Sequence, residues 1–209
     1  MFSYYDREHH HHHHRRQYAP VLVTGPGETP ISPEEALLHC RIDAEDDDSL
    51  VEGLIDAATA NLDGWSGRLG QCLITQTWLQ HYNRFEYHLY LPLDPVQSIS
   101  GVTYLDTTNT EQTVANTNYQ LLHDELGPYV QFNWNFAFPD VYQQGPAVSV
   151  TYVVGFGTAE DVPQAIKQAM FLMIATWYKN RESVLDGFRI ELLPGGVDAL
   201  LMPFTRPRF

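Results

Sequence analysis

Lysine is nearly missing from this 209-residue chain: only Lys167 and Lys179 occur, and Lys and Arg together number 12 against 26 Asp and Glu. The formal charge of -14 argues against a surface that grips nucleic acid, which needs clustered bases to release phosphate counterions. An acidic surface can still serve beside DNA if the task is to let duplex slide past without sticking. Cysteine is as scarce. Cys40 and Cys72 make neither a paired CxxC zinc motif nor a disulfide framework, so two reduced thiols are expected. Long apolar runs are absent too: the longest, Ala169–Ala175, is far too short to span a bilayer, and the polar MFSYYDRE does not read as a secretory signal. The expected place of action is the cytoplasm, or something assembled there, with no membrane partner.

Catalytic signatures are also missing. No HExxH, GxSxG, GxGxxG or GxxxxGKS pattern occurs, and GFGTAE at 155–160 lacks the third glycine of a phosphate cradle, so it reads as a turn. Outside the run His9–His14, the histidines are His39, His81, His88 and His123, and no two stand at a metal-binding helical spacing. The run itself reads equally as a purification tag or as native sequence, and no metal site is expected there. No cofactor is expected. Ser66-Gly67-Arg68 reads as a helix end, not as a nucleophile.

What is present is an ordinary globular composition, 44% hydrophobic and 18% charged, in a chain long enough to close a core without staples. Residues 1–30 read as an irregular extension in which VLVTG at 21–25 is the one strand-like piece. Ser32-Pro33-Glu34-Glu35 is a capping box that opens a short helix over 32–40. Ser49-Leu50-Val51-Glu52 repeats the pattern, and Val51, Ile55, Ala58, Leu62 and Trp65 then recur at three- and four-residue steps, predicting a helix over 49–67.

From Cys72 the period changes to two. Ile74, Gln76, Trp78, Gln80 and Tyr82 alternate with Thr75, Thr77, Leu79 and His81, and strand-like segments follow at 88–91, 98–106, 119–122, 129–134 and 148–154 with turn residues between them. Helical period returns near Asp161, expected as a cap, and Pro163, expected as the first helical residue, for a helix over 162–183. Its apolar residues nearly encircle it, so burial on more than one side is expected. The expected fold is α+β: a small helical bundle carrying an inserted antiparallel β subdomain over about 72–154. The divisions are 1–30 extension, 31–71 first helical part, 72–157 β subdomain, 158–187 second helical part, and 188–209 short helix and tail.

Three constellations stand out. RIDAEDDDSL at 41–50 fails as a calcium loop because Asp48 stands where the sharp turn needs Gly and Leu54 where a bidentate Glu is needed. Asp46, Asp47 and Asp48 instead suit the amino end of the following helix, where its dipole favours negative charge. Trp134, Phe136, Phe138 and Tyr142 lie in an aromatic stretch over 131–144. Core packing, a protein interface or a sugar-stacking face would each suit it. The tail Phe204-Thr205-Arg206-Pro207-Arg208-Phe209 reads as a frayed terminus or an anchoring peptide.

In order, ISPEEALLHCRID at 31–43, SLVEGLIDAATANLDGWSGR at 49–68, QTW at 76–78, LPLDPVQSISGVTYLD at 91–106, YVVGFG at 152–157, VPQAIKQAMFLMIATWYKNRE at 162–182 and GGVDALLMPF at 195–204 resemble one family. It is the head-to-tail connector (adaptor) proteins of tailed bacteriophages and phage-like gene transfer agents. The resemblance implies a non-enzymatic virion part in the neck: a ring of twelve copies docked beneath the portal protein, extending the DNA channel toward a stopper or tail-completion protein. Transiting double-stranded DNA would pass without specific binding. Within that frame Asp46, Asp47 and Asp48 are expected toward the channel, and Trp134, Phe136, Phe138, Tyr142 and Phe171 at subunit or partner contacts. Phe204, Arg206, Arg208 and Phe209 are expected on the portal. The long amino-terminal arm and the 131–144 stretch depart from the family pattern. The competing readings are a carbohydrate-binding or tail-associated recognition module built on the β-region aromatics, and a hydrolase using His81, His88 or His123 beside a carboxylate.

Overall fold

A computed structural model describes residues 18–41, 47–180 and 195–205. The fold is α+β. Its elements run β1 (Val21–Thr24), α1 (Pro33–Cys40), α2 (Asp48–Leu62), β2 (Gln76–Tyr82), β3 (His88–Tyr90), β4 (Val96–Leu105), β5 (Glu111–Val114), β6 (Tyr119–Asp124), β7 (Gly127–Phe132), β8 (Val148–Val154), α3 (Gln164–Lys179) and α4 (Gly195–Leu201).

Helix α1 starts as its sequence dictates. Ser32 Oγ accepts from the Glu35 amide at 3.2 Å while Glu35 Oε2 accepts from the Ser32 amide at 2.8 Å, so two donors with no helical partner are satisfied together. The second capping box does not form. Asp47 holds the N-cap position without a side-chain bond to the backbone, and Ser49 lies inside α2. The Asp47 carboxylate is turned instead to the Tyr178 hydroxyl on α3. Helix α2 also stops at Leu62, not 67. Gly64 takes a left-handed φ of 69°, and Gly67 packs so tightly on the helix end that a Cβ there would lie 2.3 Å from the Leu62 and Asp63 carbonyl oxygens. Trp65 is therefore carried off the helix onto the β core.

Helix α3 corrects a further expectation. Pro163 is its N-cap, one place before the first helical residue, and Asp161 caps the preceding turn: Asp161 Oδ2 accepts from the Thr158 amide at 2.8 Å and hydroxyl at 2.9 Å. The helix also ends at Lys179, short of the expected 183, where Asn180 caps it with its amide donating to Thr176 O. Val51, Ile55, Ala58 and Leu62 of α2 meet Ile166, Ala169, Met170, Met173 and Ile174 of α3, with Ala36 of α1 and Val197 and Leu201 of α4. Three helices thus flank α3 within one chain, and they account for much of its nearly all-round apolar surface.

The strands form two antiparallel sheets, a five-stranded one in the order β1-β2-β8-β4-β5 and a three-stranded one in the order β3-β7-β6. Strand β8 alternates strictly, with Val148, Val150, Tyr152 and Val154 buried. Those side chains share one core with Val102 of the same sheet and Leu89, Val130 and Phe132 of the other. Two strands differ from expectation. The VLVT segment belongs to the sheet, pairing Val21 with Leu79 and Leu22 with Trp78. Strand β5 is polar apart from Val114, so its sequence carries no alternating apolar signal; pairing with β4 holds it.

Candidate functional site

Among the described residues, His81, His88 and His123 lie apart from one another, each with its own polar neighbour. His81 Nδ1 pairs with Ser149 Oγ at 2.8 Å across β2 and β8, His88 lies beside Gln131 at 3.2 Å, and His123 Nε2 is 4.0 Å from Asp94 Oδ1. No two of the three share a polar partner. His39 stacks on Phe171 with ring centroids 4.8 Å apart. Among the described residues no group of three or more metal-binding side chains converges, and no described helix is long and apolar enough to cross a membrane.

Asp63 is a half-buried carboxylate held between two elements. It follows α2 and accepts from the Leu73 amide at 2.6 Å and from Gln76 Nε2 at 2.7 Å; Gln76 Oε1 in turn accepts from the Trp78 indole at 3.0 Å. Burial pushes its carboxyl up, and the two hydrogen bonds oppose that. Both Asp63 oxygens and Gln76 Oε1 are used, so the arrangement clamps the end of α2 to the start of β2. Burial likewise pushes the nearby Cys72 thiol well above its ordinary value, which makes it a poor nucleophile. This link spans thirteen residues and two elements, and its one sequence signal is the polar Gln76 on the face of β2 that also carries Trp78 and Tyr82.

The surface of α2 is acidic. Asp48, Glu52 and Asp56 recur every four residues and all three are exposed. Like charges at that spacing cost a helix about 0.2–0.5 kcal/mol per pair, and no Lys or Arg stands between 42 and 67 to offset them. Of the three acids singled out from the sequence, Asp48 belongs to this stripe and Asp47 is half-buried against Tyr178. Asp46 lies outside the described residues. Glu52 and Asp56 do not stand out in the sequence because they belong to the helical period, not to the acidic run before it.

The aromatic stretch divides sharply. Phe136 and Phe138 pack around Phe85, which also touches Phe132 at 5.5 Å and Tyr104 at 5.4 Å between ring centroids. Tyr142 is half-buried with its hydroxyl on Gln144 at 3.2 Å. Trp134 alone of this set is turned out, 88% exposed. Phe171 is half-buried between α1 and α3. At the carboxyl end Phe204 packs on the helical core, while Arg206, Arg208 and Phe209 lie outside the described residues.

A cleft of about 560 Å³ opens between β1, α2 and β2, with Leu22, Trp65, Trp78, Glu28, Asp56 and Asp63 among its walls. It contains none of Trp134, Phe136 or Tyr142, so those aromatics do not line it as a sugar groove would require.

No family model matches this chain, and no curated protein does. Solved structures do. A chain of the structure described as "Neck of empty GTA particle computed with C6 symmetry" superimposes with a TM-score of 0.72 at 24% identity, covering 92% of this chain and 97% of that one. One from "Virion of native gene transfer agent (GTA) particle" gives 0.70 at 22% identity over 92% and 97% of the two chains. One from "Neck of native GTA particle computed with C12 symmetry" gives 0.60 at 21% identity over 90% and 97%. This chain has their fold, nearly end to end.

Proposed function

We propose that this chain is a structural, non-enzymatic component of the neck of a tailed-phage or gene-transfer-agent particle. It acts as the connector that forms a ring of twelve copies, docks on the portal and extends the DNA channel toward the stopper or tail. The observation that carries the reading is the near-complete match of its fold to chains of gene-transfer-agent neck and virion structures, with 97% of each neighbour covered. Ordered sequence segments that resemble the connector family support it independently. The rotational symmetry named for two of those neck structures supports a ring in preference to a monomer.

Charge fits the same role. A lumen lined by Asp48, Glu52 and Asp56 would repel phosphate and let duplex pass without capture. The helical part, on this reading a small bundle, would face the channel with α2. The tail from Phe204 to Phe209 would reach the portal, where Arg206 and Arg208 supply cations and Phe204 and Phe209 apolar anchors. Co-sedimentation of the purified chain with portal rings tests both parts. The full-length chain should travel with portal and a chain truncated after Pro203 should not. Equal binding by the two would remove the tail from the account, and no binding by either would remove the portal.

A further inference from the structure

Strand β1 is an open edge of the five-stranded sheet. It pairs with β2 on one side only, and among the described residues Val21–Thr24 make no other backbone hydrogen bond. Alternate amides and carbonyls therefore face outward unpaired. Val21, Leu22 and Val23 are about half exposed, and the strand carries no charge or proline of the kind that blunts an edge meant to stay free. The cleft of about 560 Å³ opens beside it, with Leu22 in its wall. The titratable carboxyl groups that line this cleft are Glu28, Asp56 and Asp63, set among Trp65 and Trp78, and no Lys, Arg or His lines it. Asp63 is used by Leu73 and Gln76, and Glu28 Oε1 accepts from the Ala159 amide at 2.9 Å. Asp56 is exposed, and among the described residues its carboxylate has no hydrogen bond or ion pair.

We infer that an extended segment of a basic partner protein adds to β1 as a further strand and sets an arginine in the cleft beside Asp56. In strand addition the edge supplies main-chain hydrogen bonds, and a neighbouring pocket selects among the alternate side chains. Leu22 stands opposite Trp78 in the pairing of β1 with β2, so side chains of an added strand that share their face lie toward the cleft. A guanidinium suits its walls. Its plane stacks on an indole while its edge donates to a carboxylate, a combination that the compact ammonium of lysine does not offer. Charge points to the source. Among the described cations Arg68 pairs with Asp198 at 2.7 Å, Arg84 lies 3.7 Å from Glu86, and Lys167 is buried against Glu35. Another copy thus has few cations to offer, whereas a formal charge of -14 complements a basic protein. Asp48 and Glu52 lie outside the cleft, so a partner seated there leaves those two acids of the α2 stripe uncovered. The contact needs no ring, so its failure and the failure of ring assembly are separate results.

The test titrates the full-length chain with the peptide acetyl-Thr-Val-Arg-Val-Thr-amide, followed by calorimetry and tryptophan fluorescence. Expected is saturable binding that weakens about tenfold when citrulline, the uncharged isostere, replaces arginine, and about tenfold in Asp56→Asn. Glu52→Gln, on the same helix but outside the cleft, should bind as the native chain does. Methylating the peptide's amide nitrogens one at a time should abolish binding at alternate positions only, because a strand presents every second amide to its neighbour. No saturable binding, equal affinity for the arginine and citrulline peptides, an unchanged affinity in Asp56→Asn, or equal tolerance of methylation at every position overturns the contact. A chain ending at Thr205 that binds the peptide about ten times more tightly than the full-length chain would place this chain's own tail in the cleft, and overturns the separate partner.

Discussion

Phe85 between the sheets and Met173 on α3 fill equivalent places in the two cores of this molecule, yet the cores are built from different materials. Around Met173 the side chains are aliphatic and methionine, the helices are joined by single polar ties (Tyr178 to Asp47, Lys167 to Glu35), and the outer face of α2 is carboxylate. Around Phe85 four aromatic rings meet within 6.1 Å, and the surface left outside includes the exposed rings of Tyr87 and Trp134. A row of carboxylates thus marks the outside of α2, while exposed aromatic rings mark the outside of the β portion.

The aromatic hub carries the largest single effect. Phe85→Ala should cost about 4 kcal/mol in denaturant unfolding, because it removes a ring that several others pack on and the rigid sheets cannot collapse into the space. Glu35→Ala attacks the helical portion twice. It opens the capping box and strips the buried Lys167 ammonium of the carboxylate 3.9 Å away, for an expected loss of about 2 kcal/mol. Adding Lys167→Met should restore part of that loss, whereas a pure capping defect would not respond. Tyr178→Phe removes the hydroxyl that ties α3 to Asp47 and should cost about 1.5 kcal/mol.

Asp106, at the β4–β5 turn, gives the smallest and most specific change. The Thr108 hydroxyl, then the Thr110 amide, hold its carboxyl at about 2, below its ordinary 3.8. A group depressed in the folded state stabilises fully above its unfolded value, so the benefit is complete above pH 4 and is lost as pH falls toward 2. Amide exchange at Thr110 should accelerate over that window in the native chain and show no such step in Asp106→Asn. Against all of these, Trp134→Ala should change subunit stability by less than about 0.5 kcal/mol, since the side chain touches almost nothing within its own chain.

Legibility in the sequence followed the reach of the forces involved. The capping box at Ser32 and the alternation of β2 and β8 are local and read directly. Strand β1 is exposed on both faces, so it has no period-two burial to reveal it; pairing with β2 alone places it in the sheet. Asp47 was expected among solvent-facing acids, but a tyrosine 131 residues along the chain claims its carboxylate. Within the aromatic stretch, Phe136 and Trp134 are alike in composition and opposite in role. The difference depends on which ring finds Phe85, and that is a tertiary fact.

The most direct measurement is the mass of the purified full-length chain in solution, alone and mixed with portal rings. The account predicts twelve copies per assembly, either formed freely or appearing only on portal. A monomer whose mass is indifferent to portal would contradict it.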